Sequence, residues 1–154
     1  MPTPTSPIYA SDRSFEGGGR LSSLAISASV EDLLFLESKF KEAHWKLSMA
    51  GTYREALAEL SEKPLPVVLS DRQLPDGSWK DVLSRLARMR DRPRLIVFCR
   101  DANDRLWTEV LNLGGFDLLA TPFREEELVF AIGSAWLDWE GEQERRRLRK
   151  SAHT

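Results

Sequence analysis

One carboxylate draws attention by its setting. Asp71 ends the apolar run Val67 to Ser70 (VVLS) and is followed by Arg72 and the turn-forming Leu74 to Gly77 (LPDG). At its plainest it is an acid that ends a strand and opens a turn. As chemistry it offers two oxygens that a guanidinium can grip in a bidentate pair. Arg72, next to it, and Arg100, just after the apolar run Leu95 to Cys99 (LIVFC), are the nearest such cations in the sequence. Arg72 is expected to face away. Arg100 is weighed evenly between pairing with Asp71 and pointing to solvent, as most arginines do. Cys99 is the only cysteine, which excludes an internal disulfide and a thiolate zinc cluster and suits a reducing compartment. An inert buried thiol outweighs a redox sensor there. His44 and His153 are the only histidines, and neither has a ligand cluster around it, so no metal site is expected from them.

Short apolar runs and longer amphipathic stretches must hold these groups. Strands are expected at Leu21 to Ser27, His44 to Ala50, Val67 to Ser70, Leu95 to Cys99 and Phe116 to Ala120. Helices are expected at Val30 to Glu42, Thr52 to Ser61, Ser78 to Met89, Asp101 to Leu113 and Glu125 to Trp139. Thr52 with Glu55 three residues on reads as a helix start, and Gly114-Gly115 as a helix stop. Five β-α units imply a parallel sheet covered on both faces. The doubly wound order 2-1-3-4-5 fits the count, with function gathered at the carboxyl ends of the strands. Those ends carry Ser27, Ala28, Asp71, Cys99 and Thr121.

The chain has 154 residues, enough for one domain with a real core, and a formal charge of -2 that argues against a polyanion-binding protein as a whole. Residues 1–20 read as a flexible leader without an apolar signal core, 21–140 as the domain, and 141–154 as a polar helical extension. No apolar run is long enough to span a membrane, so a cytoplasmic protein is expected. The run Arg145 to Lys150 (RRRLRK) follows Glu140, Glu142 and Glu144. It is read as a solvated helix end, favoured by the helix dipole, with nucleic acid not the expected partner. Having few apolar residues, the extension is expected to be dispensable for folding.

Three blocks in order resemble the receiver domain of two-component response regulators: Val67 to Trp79 (VVLSDRQLPDGSW), Leu111 to Phe123 (LNLGGFDLLATPF) and Ala50 to Leu60 (AGTYREALAEL). The resemblance covers roughly Leu21 to Trp139. It implies a flavodoxin-like five-stranded fold with an extended last helix, and makes Asp71 the candidate phospho-acceptor. The departures are as informative. The family's pair of magnesium-holding acids corresponds to Ser27 and Ala28. Its Thr or Ser after the fourth strand is Cys99, its Lys on the fifth is Thr121, and its switch aromatic is Leu118. Glu31 and Asp32 are acidic but sit where they complement a helix start.

With one matched carboxylate and the Gln73 carbonyl, no cofactor is expected and magnesium binding should be weak or absent. Arg100 is then the candidate compensating cation, doing permanently what metal or Lys does conditionally. The resemblance implies a non-enzymatic, protein-binding pseudo-receiver of a bacterial phosphorelay, impaired in magnesium-dependent phosphorylation. The alternative is a functional receiver phosphorylated on Asp71 through an atypical site. Partners would be a sensor kinase or an output protein, with a homodimer through the last two helices as a further option. Trp107, Trp136 and Trp139 are candidate anchors on that face. No separate output domain is expected after Trp139.

Overall fold

The computed structural model describes residues 21–152. The leader expected over residues 1–20, and His153, lie outside the described residues.

Alternating strands and helices build the body. β1 (Ser22–Ile26) is followed by α1 (Val30–Glu42), then β2 (Lys46–Ala50), α2 (Tyr53–Glu62) and β3 (Val67–Asp71). The second half runs α3 (Trp79–Ala87), β4 (Arg94–Cys99), α4 (Asp104–Leu113), β5 (Asp117–Ala120) and α5 (Glu125–Ala152). The five strands are parallel, in the order β2-β1-β3-β4-β5, as the unit count requires. Between β3 and α3, the LPDG turn closes a two-residue antiparallel ladder of Gln73–Leu74 with Gly77–Ser78.

Because successive strand residues point to opposite faces, the sheet feeds two cores. Leu24, Ile26, Val68, Leu95 and Val97 pack against α2, α3 and α4. Ala25, Val67, Leu69, Ile96 and Phe98 pack against α1 and α5. This explains the unbroken apolar runs of β3 and β4, which are buried on both sides. Truncating a fully buried leucine such as Leu69 to alanine costs about 2–5 kcal/mol.

Helix ends follow their capping chemistry. Ser29 Oγ accepts from Asp32 N at 3.2 Å, Thr52 Oγ1 from Glu55 N at 3.0 Å, and Ser78 and Asp81 form a capping box. α4 begins three residues later than expected, because Asn103 Oδ1 takes the Leu106 amide at 2.8 Å and so fixes the cap. It ends at Gly114, whose φ of 111° is open only to glycine without strain, and where a Cβ would lie 2.5 Å from the Arg92 guanidinium.

The last helix carries the extension expected of it. α5 runs 28 residues without a break at 140. Its extension is tied to the body by charge rather than by apolar packing. Arg94 Nε donates to Asp138 Oδ2 at 2.8 Å and Nη2 to Glu142 Oε1 at 2.7 Å, while Arg146 Nη1 donates to Asp91 Oδ1 and to the Arg90 carbonyl, both at 2.9 Å. No helix among the described residues is long and apolar enough to cross a membrane.

Candidate functional site

The parallel register sets the site. Ile26 lies beside Ser70, Asp71 beside Phe98, and Cys99 beside Ala120. Ser27 therefore follows β1 level with Asp71, and Thr121 follows β5 one step past Cys99. All five positions singled out by sequence fall at the carboxyl ends of four strands. Backbone bonds fix their order: Arg72 N donates to Phe98 O at 2.9 Å, and Thr121 N to Cys99 O at 3.0 Å.

The side-chain chemistry at this end is polar but poor in charge. Ser27, wholly buried, donates its hydroxyl to Asp71 Oδ2 at 3.0 Å and accepts from the Ser29 amide at 3.0 Å. One hydroxyl thus links the carboxylate to the start of α1. Asp71 itself is partly exposed, whereas Ala28 is exposed and carries only a methyl. Thr121 is buried, and its peptide bond to Pro122 is cis. Cys99 is buried too; burial pushes its thiol up, against the nearby charge of Arg72. A neutral thiol is a weak donor and a poor nucleophile.

Arg100 is the compensating cation that the sequence offers. It is exposed on the turn after β4, and no ion pair joins it to Asp71. The side chain that reaches Asp71 is Ser27. The charge of Arg100 acts instead on Asp32, which sequence reading treated only as a helix-start acid. Burial raises the Asp32 carboxyl above the ordinary carboxylate value, and the negative charges of Asp71 and Glu31 raise it further; the Ser29 bond and Arg100 oppose this. Asp32 is therefore an electrostatic neighbour of Asp71. The signal for its position was the Ser29-x-x-Asp32 spacing.

A second missed residue is Asp76. The LPDG turn brings its carboxylate to the start of α2, where Oδ1 accepts from Tyr53 N at 2.7 Å and Oδ2 from Arg54 N at 3.0 Å. These amide bonds hold its carboxyl below the ordinary value. The loop after Asp71 is thus bolted to α2 as well as to α3.

The donors here do not fit the family's magnesium centre. That ion wants several hard oxygen ligands in octahedral array. Ser27 and Ala28 supply a hydroxyl already committed to Asp71 and a methyl group. Among the described residues no three of His, Cys, Asp and Glu are grouped so as to hold a metal ion.

At the edge of this end, Trp107 on α4 is exposed and donates its Nε1 to Asp117 Oδ1 at 3.3 Å. Trp136 is core, stacked on Trp139 at 5.7 Å, and Trp139 donates to the Asp91 carbonyl at 3.3 Å. Of the three tryptophans, Trp107 alone is exposed.

Residues 32–133 match the family model described as the response regulator receiver domain. Among curated proteins, the chain is 25% identical over 112 residues to the probable transcriptional regulatory protein SgaR of Hyphomicrobium methylovorum, covering 71% of this chain and 50% of that one. It is 33% identical over 90 residues to the probable transcriptional regulatory protein TcrX of Mycobacterium tuberculosis, covering 57% and 38%. The chain thus spans half or less of the length of these relatives. Among solved structures, the signal receiver domain of an HD domain-containing protein from Pseudomonas fluorescens superposes with a TM-score of 0.75 at 22% identity, covering 83% of this chain and 95% of that one. The chemotaxis response regulator CheY4 of Vibrio cholerae does so with a TM-score of 0.67 at 19% identity, covering 75% and 98%. With the order of its strands, the setting of Asp71 and the span of the family match taken together, this chain belongs to the receiver domain family of two-component response regulators.

Proposed function

We propose that this receiver is a pseudo-receiver: a protein-binding module of a cytoplasmic two-component pathway that works through a fixed surface, with impaired magnesium-dependent phosphorylation of Asp71. One observation carries the reading. The hydroxyl of Ser27, standing where the family has an acid, is bonded to the Asp71 carboxylate at 3.0 Å. Phosphoryl transfer to a carboxylate depends on positioned positive charge to neutralise the reacting oxygens. Ser27 supplies a dipole, Ala28 nothing, Thr121 no ammonium, and Cys99 only a weak donor. The four departures weaken the same step. A bond that is always present holds one state, so the surface around β5, α4 and α5 would be presented permanently. Its partner would be a sensor kinase or an output protein, with exposed Trp107 as an anchor. A second copy bound through the last two helices is compatible with the same face.

A functional receiver with an atypical site is the second reading, supported by the partial exposure of Asp71. Incubation with a small phosphodonor and magnesium, followed by intact-mass analysis, separates the two. The pseudo-receiver reading expects no adduct. A phosphate adduct on the native chain that disappears in Asp71→Asn would overturn it and establish the second reading.

A further inference from the structure

The opposite end of the sheet carries a feature that the sequence divides between two distant segments. Arg90 and Asp91 lie on the turn between α3 and β4, and Arg145 to Lys150 lie on α5, more than fifty residues later. Folding brings them together through the bonds of Arg146 to the Arg90 carbonyl and the Asp91 carboxylate. The result is an open groove of about 1020 Å³ lined by Arg90, Arg146, Arg147, Arg149 and Lys150, with Asp91 as its one acid.

The acids around the basic run cancel it only in part. Asp138 turns to Arg94 at 2.8 Å, and Glu142 is shared between Arg94 at 2.7 Å and Arg146 at 3.7 Å. Glu144 pairs with Arg147, and Asp91 with Arg146. Arg90 and Lys150 have no carboxylate partner among the described residues. A chain of net charge -2 thus gathers five cations and one acid in one concave place. The residue type matters as well as the sign. Four of the five cations are arginines, whose planar forks match phosphate oxygens in bidentate fashion.

We propose that this groove binds the phosphate backbone of a nucleic-acid duplex. Contacts of this kind position a protein without reading sequence, so the binding is sequence-independent and salt-sensitive. It lies at the far end of the strands from Asp71 and does not rest on whether Asp71 is phosphorylated.

The test uses the full chain and a fluorescein-labelled DNA duplex of mixed sequence, about twenty base pairs long, read by anisotropy. In about 50 mM salt the anisotropy rises to saturation. The affinity falls with a log-log salt slope near -0.9 for each phosphate neutralised. Arg90→Glu combined with Lys150→Glu weakens binding by about tenfold or more. Arg54→Glu combined with Arg124→Glu makes the same charge change elsewhere and moves it by less than about twofold. Both double variants are checked for an unchanged circular dichroism spectrum. If Arg90→Glu with Lys150→Glu does not fold, the milder Arg90→Gln with Lys150→Gln takes its place and is expected to weaken binding by a smaller factor in the same direction. Absence of saturable binding overturns the proposal. So does equal weakening by the two charge reversals. Displacement by polyglutamate as effective as by unlabelled duplex would mean an acidic protein surface instead, and also overturns it.

Discussion

The two ends of one parallel sheet have been furnished in opposite ways. At the carboxyl end, around Asp71, charge is sparse: Ser27 and Ala28 carry none, and the side chain bonded to Asp71 is a neutral hydroxyl. At the amino end, around Arg94, charge is abundant and organised. Arg94 bridges two carboxylates, and Arg146 clamps the α3–β4 turn. The same scaffold carries a quiet site where the strand ends hold mostly buried side chains, and a set of ion pairs where a projecting helix needs an anchor. The difference teaches that strand geometry is indifferent to which chemistry is mounted on it. What each end does depends on a handful of side chains, so each end can be altered separately.

The largest expected effect comes from charging the quiet end. Ser27→Asp with Ala28→Asp sets a buried carboxylate against Asp71 and Asp32. The apo protein should lose about 3–5 kcal/mol, the cost of an uncompensated buried charge, with one acid titrating abnormally high. Millimolar magnesium should restore stability in proportion to its concentration, since it binds the folded state. Adding Thr121→Lys should relieve the repulsion without metal. Thermal melts of wild type and double variant with and without magnesium decide this. A double variant indifferent to the metal would mean that residues 27, 28 and 71 do not converge as described.

Removing charge from the other end should matter less. Arg94→Met leaves Asp138 and Glu142 without their partner and should cost about 2 kcal/mol, the value of hydrogen bonds to charged groups. Ending the chain at Glu140 removes Glu142 and Arg146 and should cost a similar amount, with the two changes less than additive because they share one network. Urea unfolding of the two variants and their combination measures this. A truncated chain as stable as the full one would restore the expectation, drawn from its few apolar residues, that the extension is dispensable.

Ser27→Ala should cost about 1 kcal/mol, the net worth of an ordinary hydrogen bond, so less than Arg94→Met. The reverse ranking would mean that the hydroxyl bond is the stronger anchor of the two.

The smallest effects are in pH dependence, where the two ends should respond with opposite sign. Asp32 is raised, first by burial, so it holds its proton more readily folded than unfolded. Its contribution therefore declines as pH rises from the unfolded value through the folded one. Relative to wild type, Asp32→Asn should gain stability as the pH climbs from acid to neutral. Glu142 is lowered, first by its bond to Arg94. Its contribution is present above the unfolded value and is lost as pH falls through the folded one. Glu142→Gln should therefore match wild type in acid and fall below it at neutral pH. Urea midpoints across that range test both. Difference curves of the same sign would break the comparison.

Much of the fold was legible because its signals are local. The double-sided apolar runs of β3 and β4, the Thr52 and Gly114 punctuation and the five-fold alternation each lie within a few residues. The position of Asp71 at a strand end was legible for the same reason. Helix starts were less so: α4 begins at Asp104 rather than Asp101, because the Asn103 side chain takes the Leu106 amide and fixes the cap. Arg100 was not legible at all, since an arginine beside a strand end has several directions open to it and only the turn after β4 selects one.

The sequence by itself determined which chemistries are present: one strand-end carboxylate, one cysteine, and a basic run after a cluster of glutamates. It determined their order along five β-α units as well, because hydrophobic periodicity is written into neighbouring residues. Only the tertiary structure decided which of these groups meet. That Ser27 holds Asp71, that Asp76 caps α2, that Arg94 claims Asp138 and Glu142, and that Arg90 joins the basic run of α5 are all contacts between segments more than twenty residues apart. Such pairings have no local signature. They arise when burial of the two cores fixes the strands in register, and the charged and polar side chains at their ends must then find partners among whatever the packing has brought near.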